Sequence, residues 1–182
     1  MRAIVPVLLL AATSLAALPA RRGVAERTLI NDNRTPAGTR RGNALTLHLE
    51  ARMAVWHPNG DDAPGASLPA FAEEGRAPRI PGPLIRVPAG YTVSVTVRNR
   101  LPNDTLDVHG LYDRTGAPVR PSAVEGLRLA PGEVRTVTFS LTAPGTYYYW
   151  GSTTGRAINW RTGVDAQLTG AIVVDPAGAP AP

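Results

Sequence analysis

The sequence predicts an all-β protein, a Greek-key antiparallel β-sandwich. Three observations point there. Glycine and proline supply 18 residues each of 182, enough to interrupt the chain with turns every few residues. Several segments alternate apolar and polar side chains with the period of two that a half-buried strand requires. No segment carries the 3.6-residue apolar repeat of an amphipathic helix, and short strands at turn-punctuated spacing are the pattern of a sandwich.

The chain opens with Arg2 and an uncharged, mostly apolar run from Ile4 to Leu18, followed by small residues and Arg21-Arg22-Gly23. Residues 1–20 therefore read as a signal peptide, cleaved after Ala20 or Ala16, and the mature protein is expected to be exported, periplasmic or extracellular. A signal anchor is the alternative, but the run falls short of the roughly 20 apolar residues of a membrane span. No membrane span is expected after signal removal. Residues 21–42 are polar and read as a flexible N-terminal arm. The single domain is expected over residues 43–176, and the Ala/Gly/Pro-rich residues 177–182 are expected to form a disordered tail.

Within the domain, Leu45, Leu47, Leu49, Ala51, Met53 and Val55 alternate with Thr46, His48, Glu50 and Arg52, which predicts a long strand. Residues 57–80 read as a long loop with a helical turn near Phe71 to Glu74. Leu84 to Val87 is a short strand, and Pro88-Ala89-Gly90 turns it into the strand of Tyr91, Val93, Val95 and Val97. Leu106 to Gly110 is another short strand. Val137, Phe139 and Leu141 mark the next, Thr146 to Trp150 an aromatic one, and Leu168 to Val174 the last, stopped by Asp175-Pro176.

Composition excludes several functions. The chain has no cysteine, which rules out within it a disulfide scaffold, a thiol nucleophile, a thiolate zinc site and a blue-copper centre. The formal net charge is +5, but the arginines are scattered and only Arg21-Arg22 and Arg40-Arg41 are adjacent. No nucleic-acid partner is expected from that pattern. Every basic residue is arginine, and with abundant Ala, Gly and Pro this is the usage of a GC-rich coding sequence, so a bacterial source is expected.

Four segments stand in a telling order: Pro81-Gly82-Pro83-Leu84-Ile85-Arg86-Val87-Pro88-Ala89-Gly90; Leu106-Asp107-Val108-His109-Gly110-Leu111; Ala130-Pro131-Gly132-Glu133 with Ala143-Pro144-Gly145-Thr146-Tyr147-Tyr148-Tyr149-Trp150; and Gly170-Ala171-Ile172-Val173-Val174. Together they resemble the N-terminal plastocyanin-like (cupredoxin) domain of the multicopper oxidase family, over roughly residues 43–176. The resemblance implies a cupredoxin-like fold and, for the whole family protein, copper-dependent oxidation of a small substrate with O2. It also implies two His-x-His motifs whose imidazoles help hold a three-copper cluster at the junction with a second cupredoxin domain. Alternation along a strand aims both histidines of such a motif at one site.

This sequence departs from that pattern where copper would be held. The first motif is Asp107-Val108-His109 and the second is Trp150-Gly151-Ser152. Of four ligand positions one keeps an imidazole, so the chain alone is expected to lack a complete copper site and independent oxidase activity. His109 reads either as a hydrogen-bonded histidine at a strand end or as a residual copper ligand with Asp107. Trp150 and Ser152 are degenerate ligand positions. His48 reads as solvated and His57 as a loop residue, although either could meet His109 in space. Tyr147 to Trp150 reads as packing and an interface edge, with Tyr148 and Trp150 the candidate interface residues. The expected partner is a second cupredoxin domain or chain, or another copy of this one. The competing function is a metal-free cupredoxin-fold binding or structural module that docks on such a domain.

Overall fold

The structure is a computed structural model that describes residues 26–117, 126–161 and 163–179. The expected signal peptide, residues 1–20, and the last three residues of the expected tail lie outside the described residues. The strands in chain order are β1 (Glu26–Arg27), β2 (Leu29–Ile30), β3 (Thr39–Arg41), β4 (Ala44–Trp56), β5 (Ala66–Glu73), β6 (Arg79–Ile80) and β7 (Gly82–Pro88). They continue with β8 (Tyr91–Asn99), β9 (Leu106–His109), β10 (Leu127–Leu129), β11 (Val134–Leu141), β12 (Gly145–Ser152) and β13 (Thr169–Asp175). The only helical pieces among the described residues are the 3₁₀ turns Ile158–Trp160 and Gly163–Asp165.

The expected all-β sandwich is present. One sheet runs β11-β8-β4-β5-β6-β2, with β1 and β3 also on β4, and the other runs β10-β9-β12-β13-β7. Both are mixed rather than antiparallel, which corrects that part of the expectation. β4 pairs with β8 in parallel, and β13 pairs with β7 in parallel. The cause is connectivity: after β4 the chain passes through β5 and β6, crosses to the opposite sheet as β7 and returns as β8 beside β4. Parallel neighbours require such a crossover, because a hairpin cannot join them.

Alternation delivers the core as expected. Leu45, Leu47, Leu49, Val93, Val95 and Val97 from one sheet meet Ile85, Val87, Leu106, Val108, Ile172 and Val174 from the other, all buried. Glu50 lies on the same face as His48 and Arg52, as expected, but is buried there rather than solvated. Its carboxylate is buried between Arg52, at 2.9 Å, and Arg100, at 2.7 Å.

Two further expectations are corrected. Residues 57–80 do not form one long loop with a helical turn, because Ala66–Glu73 is strand β5, paired along its length with β4. From Glu26 onward the expected flexible arm of residues 21–42 is instead laid against the sandwich. Asn31 Nδ2 donates to Gly82 O at 2.9 Å, Ala37 N donates to Leu84 O at 2.8 Å, and the Ala37 side chain is buried. Pairing with the sheet supplies the backbone partners that an exposed arm would find in water.

Asn99 fixes the approach to β9. It is fully buried, donates Nδ2 to Asp104 O at 2.8 Å and to Leu129 O at 3.1 Å, and accepts from Leu101 N at 3.0 Å. Asn99→Ala removes three hydrogen bonds and strands buried backbone groups. A loss of about 2–3 kcal/mol is expected in urea unfolding; a change below about 0.5 kcal/mol refutes this role.

Candidate functional site

The residual candidates Asp107 and His109 and the expected degenerate positions Trp150 and Ser152 lie together on two neighbouring strands. β9 and β12 pair antiparallel with Trp150 opposite His109 and Ser152 opposite Asp107. Opposed residues share a face, and so do residues two apart. Asp107, His109, Trp150 and Ser152 therefore form one patch on the face turned away from the core, while Val108, Tyr149 and Gly151 point inward and are buried. The backbone places these side chains as a two-motif metal site requires, and the chemistry at each position is different.

The two oxygen donors are already committed, and His109 is left as the single imidazole of the patch. Arg128, opposite Asp107 on β10, donates Nη1 to both carboxylate oxygens at 3.2 and 3.3 Å. Ser152 donates its hydroxyl to Asp165 Oδ2 at 2.9 Å. Trp150 offers no lone pair to a metal. Its ring lies on the His109 imidazole, with centroids 4.1 Å apart and planes 19° from parallel. The Arg161 guanidinium sits 5.0 Å from the same indole. Gly126 lies against the imidazole: a Cβ there would stand 2.4 Å from His109 Cε1, so a side chain at 126 would displace the ring.

Burial pushes the His109 pKa below its ordinary value; the nearby Asp107 carboxylate opposes the shift and Arg161 adds to it. Starting from about 6.5, a downward shift leaves the ring neutral at pH 7. Burial also lowers the pKa of Arg161, against the opposing charge of the Asp165 carboxylate.

Residues 153–161 and 163–165 flank Ser152, and Asp165 organises the start of this segment. Its buried carboxylate accepts from Thr153 N and the Thr154 hydroxyl on Oδ2, at 2.9 and 3.0 Å, and from the Thr153 hydroxyl on Oδ1 at 2.7 Å. Arg161 Nη2 donates to the carbonyls of Asp165 and, at 3.2 Å, Leu168. Sequence reasoning did not single out Asp165, Arg161 or Arg128. The run of hydroxyls Ser152-Thr153-Thr154 is the one signal in the sequence for a buried acceptor close by.

The other histidines stand apart. His48 is exposed, with Nδ1 3.8 Å from Glu74 Oε2. His57 Nδ1 lies 2.8 Å from Ala63 O in the β4–β5 connection. Among the described residues no three His, Cys, Asp or Glu side chains are grouped as metal ligands.

Beside the patch lies a cleft of about 360 Å³. His109 and Trp150 form one wall, and Tyr112, Arg114, Tyr147 and Tyr148 are among the remaining lining. Tyr148 is 54% exposed, whereas Tyr149 is wholly buried in the core. The aromatic run thus divides between packing and surface.

The two-sheet sandwich is the architecture of a cupredoxin-type domain. The sequence model of the multicopper oxidase family matches residues 76–178, and the chain belongs to that family. It is 28% identical over 145 residues to a probable nitrite reductase-hydroxylamine oxidoreductase fusion protein of Kuenenia stuttgartiensis, an alignment covering 77% of this chain and 16% of that protein. It is 36% identical over 76 residues to an L-ascorbate oxidase of Brassica rapa subsp. pekinensis, covering 40% of this chain and 13% of that one. Among solved structures, a multicopper oxidase from Campylobacter jejuni described as a metallo-oxidase superposes with a TM-score of 0.54 at 20% identity, covering 84% of this chain and 31% of that chain. Lac15 from a marine microbial metagenome superposes with a TM-score of 0.53 at 19% identity, covering 74% and 33%. Identities this low establish the shared fold. The chain spans about a sixth of the length of the curated relatives. No helix among the described residues is long and apolar enough to cross a membrane.

Family membership points to copper. The residues at the patch do not fit a three-copper cluster. One imidazole, stacked on an indole, stands where four would be needed, the neighbouring carboxylate is held by Arg128, and Arg161 adds positive charge. Copper favours several neutral nitrogen donors of fixed direction.

Proposed function

We propose that this chain is an exported cupredoxin domain of a multicopper-oxidase-like protein that works without a copper cluster of its own. It docks on a second cupredoxin domain or chain, and the family's copper-dependent oxidation of a small substrate with O2 belongs to the partner that carries the cysteine and the histidines. The observation that supports this reading is the chemistry of the patch: Asp107 is paired with Arg128, Ser152 is bonded to Asp165, Trp150 has no lone pair for a metal, and His109 is left as a single imidazole. Exposed Tyr148 and half-buried Trp150 give the docking face aromatic anchors. The apolar run before Arg21 supports export.

Metal analysis tests the proposal. The purified mature chain is equilibrated with Cu(II), freed of excess metal and measured for copper content and by EPR. Copper well below one ion per chain is expected, with no nitrogen hyperfine signal from His109. One copper per chain, lost in His109→Ala, overturns the proposal in favour of a residual site built on His109 and Asp107.

A further inference from the structure

The cleft beside the patch contains a cation held in place before any ligand arrives. The Arg114 guanidinium lies 3.6 Å from the Tyr112 ring centroid and 4.8 Å from that of Tyr147. Arg114 Nη2 donates to Gly110 O at 3.1 Å, and the Tyr147 hydroxyl donates to Ala143 O at 3.0 Å. Two rings and one carbonyl thus limit the motion of the guanidinium. Arg114 Nε is shielded from water without a hydrogen-bond partner, and no carboxylate among the described residues lies within ion-pair distance of Arg114. The nearby Asp113 carboxylate accepts from Ser140 N instead, at 2.7 Å.

We propose that this cleft binds a small planar aromatic carboxylate, its ring against the aromatic walls and its carboxylate on Arg114. The inference rests on the reading that no copper cluster occupies the His109 face. A volume of about 360 Å³ falls at the small end of ligand pockets. Guanidinium matches a carboxylate through paired parallel donors, and stacked rings hold its plane for that geometry. The mostly apolar lining favours an aromatic body with one delocalised charge. A phosphate would call for more donors than this single guanidinium.

Titration calorimetry of the full mature chain with 2-naphthoate, and with neutral 2-naphthamide for comparison, tests the proposal. The expected result is saturable one-to-one binding of 2-naphthoate, at least tenfold tighter than that of the amide. Arg114→Gln is expected to abolish the preference. Thr146→Glu puts a carboxylate at an exposed lining position, so it is expected to weaken 2-naphthoate at least tenfold while the circular dichroism spectrum stays unchanged. Equal affinity for acid and amide, or unaltered binding in a folded Thr146→Glu chain, overturns the proposal. Copper content is measured on the same preparation. A copper-free chain that binds no 2-naphthoate overturns this inference alone; a chain holding copper through His109 and binding none overturns the proposed function as well.

Discussion

Gly170→Ala is expected to lower stability by about 3 kcal/mol or more, at or beyond the upper end of ordinary overpacking. Gly170 lies directly opposite Tyr149 across β13 and β12. A Cβ at 170 would stand 2.2 Å from Tyr149 Cζ and 2.3 Å from its hydroxyl oxygen. The ring has nowhere to retreat. It packs on Phe71 with centroids 5.2 Å apart, and its hydroxyl donates to Pro83 O at 2.7 Å. Gly82 and Gly151 sit close against Phe71: Cβ atoms there would come within 2.9 Å of Phe71 Cβ and 3.1 Å of Phe71 Cζ, respectively. Burial also pushes the Tyr149 pKa upward, so the phenol stays a neutral donor. Tyr149→Ala is expected to cost about 3–5 kcal/mol on its own, through lost burial and a cavity. The decisive measurement is the double mutant. Tyr149→Ala empties the space that a methyl group at position 170 would invade, so Gly170→Ala is expected to cost under about 1 kcal/mol in that background, a coupling of a few kcal/mol. Additive costs in urea melts would show that the glycine serves something other than this ring.

That glycine-lined seat for a tyrosine is legible in the sequence only as an aromatic strand and a Gly-containing strand; which residues face each other depends on register. The strands with one wet face were readable for a physical reason. Leu45, Leu47 and Leu49 are buried while Thr46 and His48 are exposed, and this contrast is the period-two signal itself. β5 escaped the same reasoning because Leu68, Pro69, Ala70, Phe71 and Ala72 are all buried, leaving no alternation to detect. β1, β2 and β3 are two or three residues long, and their pairing partners, not their own side chains, define them. The patch divides in the same way. Asp107, His109, Trp150 and Ser152 could be placed together by strand period and family resemblance. Arg128 and Arg161 reach them from other segments and carry no local pattern. What the sequence shows as missing imidazoles is, in the structure, a stacked pair and two carboxylates with partners of their own.

Asp165→Ala is expected to destabilise the chain by about 3 kcal/mol, the scale of removing a buried, multiply hydrogen-bonded charge. The midpoint of thermal unfolding should fall by about 6–12 °C. The carboxylate accepts from the Ser152, Thr153 and Thr154 hydroxyls and from the Thr153 and Thr154 amides, and without it the wholly buried Ser152 hydroxyl loses its acceptor. Burial alone would raise the Asp165 pKa, but the hydrogen bonds from Thr153, Ser152 and Thr154 outweigh it and the net shift is downward. The sign of the pH dependence follows. A carboxylate with a lower pKa folded than unfolded contributes its full stability above the unfolded value of about 3.9, and that contribution is lost as pH falls through the folded value. The unsubstituted chain is therefore expected to lose stability steeply below about pH 4. Asp165→Asn, which keeps the shape but cannot ionise, is expected to lose less over the same interval. Parallel stability curves for the two chains between about pH 5 and pH 2 would show that the charge on Asp165 does not hold the segment flanking Ser152. The same substitution loosens that segment without touching His109 or Trp150. Copper uptake through His109 should accordingly stay absent in Asp165→Asn, because a freed Ser152 hydroxyl adds no imidazole to the patch.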